Sequence, residues 1–206
     1  MTLSLWLSLL GASTLISFTP GAGAINTMTN SLNSGFRRSM WGILGQQAAL
    51  LIHVAIVAAG VGLLVSRSPM LFTGIRYAGA AYLVYLGVRL ILAKPQGTEE
   101  IDMSGKEPAL KMFTRGLWVN LLNPKAIVFF LAFTPQFIRL DQPALPQYAV
   151  FITTIVVIDI LVMWLFFAAA AKSFSRFTAT ERGQRILNLA FGTLFIFVAV
   201  LLVFIH

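Results

Sequence analysis

The chain has 206 residues, of which 58% are hydrophobic and only 11% charged, against roughly 25% charged in an average soluble domain. So little polar surface excludes a water-soluble globular protein and predicts an all-α integral membrane protein. Fifteen Lys and Arg against seven Asp and Glu give a net charge of +8, which membrane topology explains without a nucleic-acid partner. The absence of cysteine excludes disulfides and thiolate metal sites, and we expect neither a cofactor nor a metal.

Six apolar stretches between the charges have the length of about 20 residues that a membrane-spanning helix needs. The first ends in small residues typical of a signal-peptide cleavage site, and cleavage would leave five spans. No Lys or Arg precedes Arg37, however, so the basic region of a signal peptide is missing and we keep this span. The six predicted spans are Leu3 to Ile25, Ser39 to Val65, Met70 to Leu92, Phe113 to Ile138, Tyr148 to Ala171 and Ile186 to Ile205.

The uneven distribution of cations predicts the orientation, because Lys and Arg are retained on the cytoplasmic side. Eleven of the fifteen lie in or beside the connections after the first, third and fifth spans, three lie on the opposite side, and Lys125 lies inside a span. We therefore expect both termini to face outward. The longest connection, 94–112, is predicted to be a cytoplasmic linker between two three-helix transmembrane repeats, 1–93 and 113–206.

The first and fourth spans contain the same helix-breaking pattern, in which a polar capping residue precedes a proline. Thr and Asn are N-cap residues and Pro favours the first helical turn, so each triplet predicts a helix that begins inside the membrane. Lipid cannot satisfy the free N–H groups of such a helix, so the break is expected to line a wet cavity and to bind an anion. The alternative is a pair of ordinary proline kinks. The two triplets are Thr19-Pro20-Gly21 and Asn123-Pro124-Lys125.

The two halves repeat at a nearly constant spacing. The prolines of the two breaks lie 104 residues apart, the mid-span His53 and Asp159 lie 106 apart, and Gly79 and Gly192 lie 113 apart. Three spans in each half would make this repeat inverted. The sequence therefore predicts six transmembrane helices as two inverted three-helix repeats, with the first and fourth helices broken at Pro.

Polar residues inside the spans are the candidate ligands of a substrate. Asn26, Asn30 and Asn33 follow the first break at positions i, i+4 and i+7, so they share one helical face. Such amides could bind a carboxylate, an ammonium or a hydroxyl group, or could form a hydrogen-bond seam between helices. Lys125 could add its charge to the positive end of the second helix start, or snorkel to the cytoplasmic surface.

Two titratable groups lie near the middle of their spans. An ionised Asp159 would cost roughly 2.5 to 3.5 kcal/mol on insertion scales, so it must be paired, line water or be protonated. These demands favour a proton carrier over the alternative of a structural ion pair with Lys125. His53 is either a proton relay or a neutral bridge between helices.

Four motifs carry a resemblance to a known family: Thr19 to Gly35, Tyr77 to Leu83, Val119 to Ile127, and the Val-Val-Ile-Asp that ends at Asp159. With them, the chain resembles, essentially end to end, the lysine-exporter superfamily of bacterial amino-acid efflux proteins, and within it the homoserine/homoserine lactone efflux branch. Two departures occur. Ala22 stands where many members have Pro, and Leu50 stands where many have Asp, which places more weight on Asp159.

The resemblance implies a multi-pass inner-membrane exporter of homoserine, its lactone or related small amino acids such as threonine, driven by proton antiport. We expect its partners to be this substrate, protons and the lipid bilayer, and a homo-oligomer is left open. A membrane-embedded enzyme that uses His53 and Asp159 is the alternative, although the chain has no convincing nucleophile motif. The predicted proton-coupling residues are Asp159 and His53, and the predicted substrate-binding residues are Thr19, Pro20, Gly21, Asn26, Asn30, Gln47, Asn120, Asn123, Pro124 and Lys125.

Overall fold

The computed structural model describes residues 1–67, 69–93, 107–139, 141–173 and 180–204, and these contain helices and no strand. Residues 94–106 of the predicted linker 94–112 lie outside the described residues, as does His206, so the division into repeats 1–93 and 113–206 stays a prediction. The helices are α1 (Leu3–Phe18), α2 (Ala22–Ser34), α3 (Met40–Arg67), α4 (Pro69–Leu92), α5 (Ala109–Leu121), α6 (Pro124–Phe133), α7 (Ala144–Leu161) and α8 (Glu181–Phe204), with a 3-10 turn at Thr134–Phe137 and a π-helical segment at Val162–Ala168.

Three to five candidate membrane spans occur among the described residues. Three helical stretches are long and apolar enough to cross a bilayer alone, and two bent helix pairs count as one span each. In α4 the described apolar segment is the shorter stretch Tyr77–Leu92. The helical membrane class is confirmed, whereas the sixth span stays a prediction. The three single candidates are Met40–Gly60, Ala144–Ala168 and Glu181–Phe204.

Both predicted helix breaks are present, and their bends are nearly equal. The chain turns by 58° between α1 and α2 and by 59° between α5 and the helix that follows. At the second break the prediction is confirmed in detail, because Asn123 caps α6 with its side chain and Pro124 occupies the first helical turn. At the first break the predicted cap is wrong: Gly21 is the N-cap of α2, and the Thr19 hydroxyl donates instead to the Leu15 carbonyl, 2.9 Å away.

Glycines allow helices from different halves of the chain to approach closely, as is common between membrane helices. A Cβ on Gly45 of α3 would lie 2.8 Å from the Leu117 amide nitrogen of α5, closer than side chains tolerate. A Cβ on Gly87 of α4 would lie 2.6 Å from the Gly192 carbonyl oxygen of α8, and one on Gly192 would lie 2.6 Å from the Gly87 carbonyl oxygen. The backbones of α3 and α5, and those of α4 and α8, are therefore in close contact at these glycines.

Stacked aromatic rings fill one end of the core. The ring centroids of neighbouring members lie 4.6 to 6.1 Å apart, in tilted, stacked and edge-on arrangements that aromatic pairs favour. The row begins at the cavity described below, which Phe129 and Phe130 line. It consists of Phe129, Phe130, Phe133, Phe137 and Phe151.

Candidate functional site

A cavity of about 60 Å³ lies between the two helix breaks. Space of this kind holds roughly one water per 10–15 Å³, so it suits a few waters or a small part of a solute. Seven of its lining residues are polar, in a wall that is otherwise mostly aliphatic and aromatic. The polar members are Ser13, Ser17, Gln46, Asn120, Asn123, Lys125 and Asp159.

Asp159 contributes the carboxylate of the cavity from α7, three residues before the π-helical segment begins. Its Oδ1 accepts a hydrogen bond of 2.9 Å from the Ser17 hydroxyl of α1, and its Oδ2 accepts one of 2.7 Å from the Gln47 amide of α3. Both partners are side chains that an ammonium group or a water could replace. π-helical segments are rare and often occur at functional sites, which adds weight to this position.

Lys125 contributes the ammonium of the cavity, and it joins the two breaks. Its Nζ donates to the Thr19 carbonyl at 2.7 Å and to the Ile16 carbonyl at 3.4 Å, at the end of α1. The cation thereby caps carbonyls at the negative end of a helix dipole. In the structure Lys125 donates to these carbonyls and makes no direct ion pair with the Asp159 carboxylate, although the two charges interact across the same cavity.

Two adjacent glutamines of α3 have different partners. Gln46 lines the cavity, and its amide donates to the Gly23 carbonyl and to the Thr27 hydroxyl, both at 3.0 Å, which fastens α2 to α3. The Asn120 amide of α5 donates in turn to the Gln46 carbonyl at 2.9 Å. Gln47, which the sequence predicted as a ligand, contacts Asp159 instead of lining the cavity.

The predicted amide stripe of α2 belongs to a separate polar network. Asn26 and Asn30 lie on one face, as expected, but both accept hydrogen bonds from the Arg115 guanidinium of α5. Arg115 also pairs with the Glu107 carboxylate at 2.6 Å, and the Glu107 carbonyl accepts a 2.8 Å bond from Arg38. Asn26 and Asn30 therefore bind Arg115, and neither lines the cavity.

His53 lies beside the cavity without lining it. Its Nε2 lies 3.2 Å from the Leu121 carbonyl oxygen, at the end of α5, and its ring stacks on Phe130 with centroids 5.7 Å apart. This arrangement is typical of a histidine that bridges two helices. Its role in proton coupling stays a prediction.

The predicted ligands fall into three groups. Asn120, Asn123 and Lys125 line the cavity. Three more contact a lining residue: Gly21 and the Thr19 carbonyl contact Lys125, and Gln47 contacts Asp159. The others do not line the cavity, and they are Pro20, Asn26, Asn30 and Pro124. Sequence reasoning did not single out the hydroxyls of α1 or the guanidinium of α5. Their signal was weak, because α1 contains several hydroxyl residues in an apolar run and Arg115 lies where a membrane-edge cation is ordinary. The residues missed are Ser13, Ser17 and Arg115.

The model of one protein family, described as LysE type translocator, matches residues 14–205. The chain belongs to this family. The translocator is 41% identical over 203 residues to the homoserine/homoserine lactone efflux protein of Salmonella typhimurium, an alignment that covers 98% of this chain and 97% of that protein. It is 34% identical over 200 residues to an uncharacterized membrane protein of Vibrio cholerae, covering 95% and 94%. No solved structure matches it.

The family assignment decides the class of activity. The resemblance seen in the sequence motifs is confirmed, and the translocator is a multi-pass membrane protein of efflux type rather than an enzyme. The alternative of a membrane-embedded enzyme built on His53 and Asp159 is therefore set aside. What remains to assign is the substrate, the coupling and the role of each residue in the cavity.

Proposed function

We propose that this translocator exports homoserine, homoserine lactone and related small amino acids such as threonine across the bacterial inner membrane by proton antiport. The observation that carries the proposal is the cavity at which both helix breaks, one ammonium and one carboxylate meet. An amino acid carries one charge of each sign, so charges of both signs around a small cavity complement it. The efflux activity in the printed name of the Salmonella typhimurium relative agrees with this substrate class.

The start of α2 is our candidate for binding the substrate carboxylate. Gly21, the N-cap of α2, makes no side-chain capping bond, and Gly23 and Ala24 of the first turn line the cavity. A helix start of this kind offers N–H donors and the positive end of the dipole to an anion. Asn120 and Asn123 add amide groups from the second half. Thr19, Pro20 and Pro124 serve by holding the two breaks open.

Asp159 is our candidate for exchanging a proton for the substrate. While ionised, its carboxylate suits the substrate ammonium, which would replace Ser17 and Gln47 as its partner. Protonation removes that attraction and releases the amino acid. One proton moving through a potential of 100 mV is worth about 2.3 kcal/mol, which supports roughly a fiftyfold substrate gradient. His53 is the second candidate for carrying the proton.

We further propose six spans in two inverted repeats. The sixth span is α4, although its described apolar segment, Tyr77–Leu92, is shorter than a full membrane span. Cross-half contacts support this symmetry. Ser17 of the first half contacts Asp159 of the second. Leu121 lies 104 positions after Ser17 and His53 lies 106 positions before Asp159, and these two residues also contact each other. The two-way contact at the crossing of α4 and α8 fits as well, because its two glycines lie 105 positions apart, between the other two offsets. This spacing is nearer to the other two than the 113 residues between Gly79 and Gly192.

The function is tested in proteoliposomes that contain the purified protein and an imposed pH gradient. Labelled homoserine should accumulate against its gradient in vesicles with the wild type. Asp159→Asn keeps the shape and can still accept one of the two hydrogen bonds, but it can neither titrate nor attract the substrate ammonium. We therefore expect it to lose gradient-driven accumulation and to retain only weak exchange of labelled for unlabelled homoserine. Full pH-driven accumulation by Asp159→Asn would transfer the proton role to His53, and no homoserine movement by the wild type would refute the substrate.

Asp141 provides the matched control for this substitution. It lies in the turn before α7, and its carboxylate is bonded to the Arg139 guanidinium at 2.7 Å. This hydrogen bond lowers the pKa of the Asp141 carboxyl, so Asp141 stays ionised over the pH range of transport. Asp141→Asn should therefore leave the pH dependence of accumulation unchanged, since exposed ion pairs contribute little.

A further inference from the structure

Ser13 differs from the other hydroxyl residues of α1 that are buried or half-buried. The hydroxyls of Ser8 and Thr14 donate to the carbonyl four residues earlier, and that of Ser17 donates to Asp159. The Ser13 side chain is 2% exposed, lines the cavity, and has no hydrogen-bond partner for its Oγ among the described residues. Its hydroxyl group therefore depends on the contents of the cavity for a partner.

The position of Ser13 relative to Asp159 indicates what that partner is. Ser13 and Ser17 are one turn apart on the same face of α1, with Cβ atoms about 5–6 Å from each other in such a pair. Ser17 contacts the Asp159 carboxylate, so Ser13 lies one turn beyond the group assigned to the substrate ammonium. That separation is comparable to the length of a four-carbon amino acid measured from its nitrogen to the end of its side chain.

We propose that Ser13 determines specificity by binding the side-chain oxygen of the substrate. This inference rests on the proposed function and deepens it. Homoserine and its lactone share an oxygen on the same carbon, as a hydroxyl in one and as a ring atom in the other. The Ser13 hydroxyl donates to either oxygen, although the lactone has no free carboxylate for the start of α2 to bind. An amino acid of the same length without this oxygen leaves Ser13 unpaired.

The test compares homoserine with 2-aminobutyrate, which has the same four carbons and lacks the side-chain oxygen. Both are measured as kcat/KM for movement through proteoliposomes, for the wild type and for Ser13→Ala. A lost hydrogen bond between buried groups is worth about 1–3 kcal/mol, so Ser13→Ala should lower the value for homoserine about 5- to 150-fold and leave that for 2-aminobutyrate unchanged. In Ser13→Ala the kcat/KM for the lactone should fall together with that for homoserine. Ser13→Thr should retain most of the wild-type value for both.

Ser8→Ala is the matched control, because it removes a hydroxyl from the same helix that is already bonded within α1. It should leave both substrates unaffected. Equal losses for homoserine and 2-aminobutyrate in Ser13→Ala would show a structural role and overturn the inference, and so would no loss at all. In either case a wild type that moves homoserine keeps the proposed function, whereas a wild type that does not removes both.

Discussion

The crossing of α4 and α8 gives a prediction whose size follows from the structure. An alanine at Gly87 would place its Cβ 2.6 Å from the Gly192 carbonyl oxygen and 2.8 Å from Ile196 Cγ1. A comfortable carbon–oxygen contact is about 3.3 Å, so α8 would have to retreat by roughly 0.7 Å. Overpacking of this kind costs about 1–3 kcal/mol, and replacing a helical glycine by alanine returns up to about 1 kcal/mol. We expect Gly87→Ala to destabilise the protein by about 1–2 kcal/mol.

The two-way nature of this contact adds a second expectation. Gly192→Ala meets the Gly87 carbonyl oxygen at the same 2.6 Å, so one retreat of α8 relieves both clashes. The double substitution should then cost less than the sum of the single ones, by at least about 0.5 kcal/mol in a double-mutant cycle. Unfolding of the purified protein in detergent measures all three. Gly74→Ala is the control on α4, since its Cβ would have no neighbour within 4 Å among the residues that the structure describes. Stability of Gly87→Ala equal to that of Gly74→Ala would refute the reasoning.

Two further predictions follow from other parts of the bundle. Lys125→Met should lower the stability by up to about 2 kcal/mol in the same unfolding assay, because it removes the ammonium that caps the carbonyls at the end of α1. Lys125→Arg should keep most of the stability. Loss of transport at unchanged stability would instead make Lys125 a substrate ligand. Because the chain has no cysteine, single cysteines report the orientation cleanly: Gln142→Cys should react with an impermeant maleimide in intact cells and Arg37→Cys should not, and the opposite result would invert the proposed topology.

The positions of the helix breaks were predictable because proline acts locally. A proline has no N–H group and restricts its own neighbours, so Pro124 at the first turn and Asn123 as the cap follow from three adjacent residues. The error at Thr19 has a local cause as well. A threonine hydroxyl can bond back to the carbonyl four residues earlier, and here it does so with Leu15 rather than capping α2. Both options are available in the sequence, and the surrounding packing selects between them.

The partners of the polar side chains were not predictable, because they lie far apart in the chain. The spacing of Asn26 and Asn30 correctly places them on one face of α2, yet Arg115, which binds them, is 89 and 85 residues away. In the same way nothing local distinguishes Ser13 from Ser8. Helical periodicity identifies which residues share a face, whereas the neighbour of that face depends on how the helices pack.

The two breaks are similar in angle but different in chemistry, and this difference bears on how an amino acid lies in the cavity. The start of α6 is occupied, because Asn123 caps it and Lys125 reaches across to the carbonyls of α1. The start of α2 makes no side-chain capping bond, and Gly23 and Ala24 of its first turn line the cavity. A substrate with a carboxylate at one end and an ammonium at the other has no two-fold symmetry of its own. If two repeats enclose such a substrate, only one helix start can bind its carboxylate. The N–H groups of the other helix start must then find partners within the protein. The structure divides the breaks in this way, which agrees with the proposed orientation of the substrate, its carboxylate toward α2 and its ammonium toward Asp159.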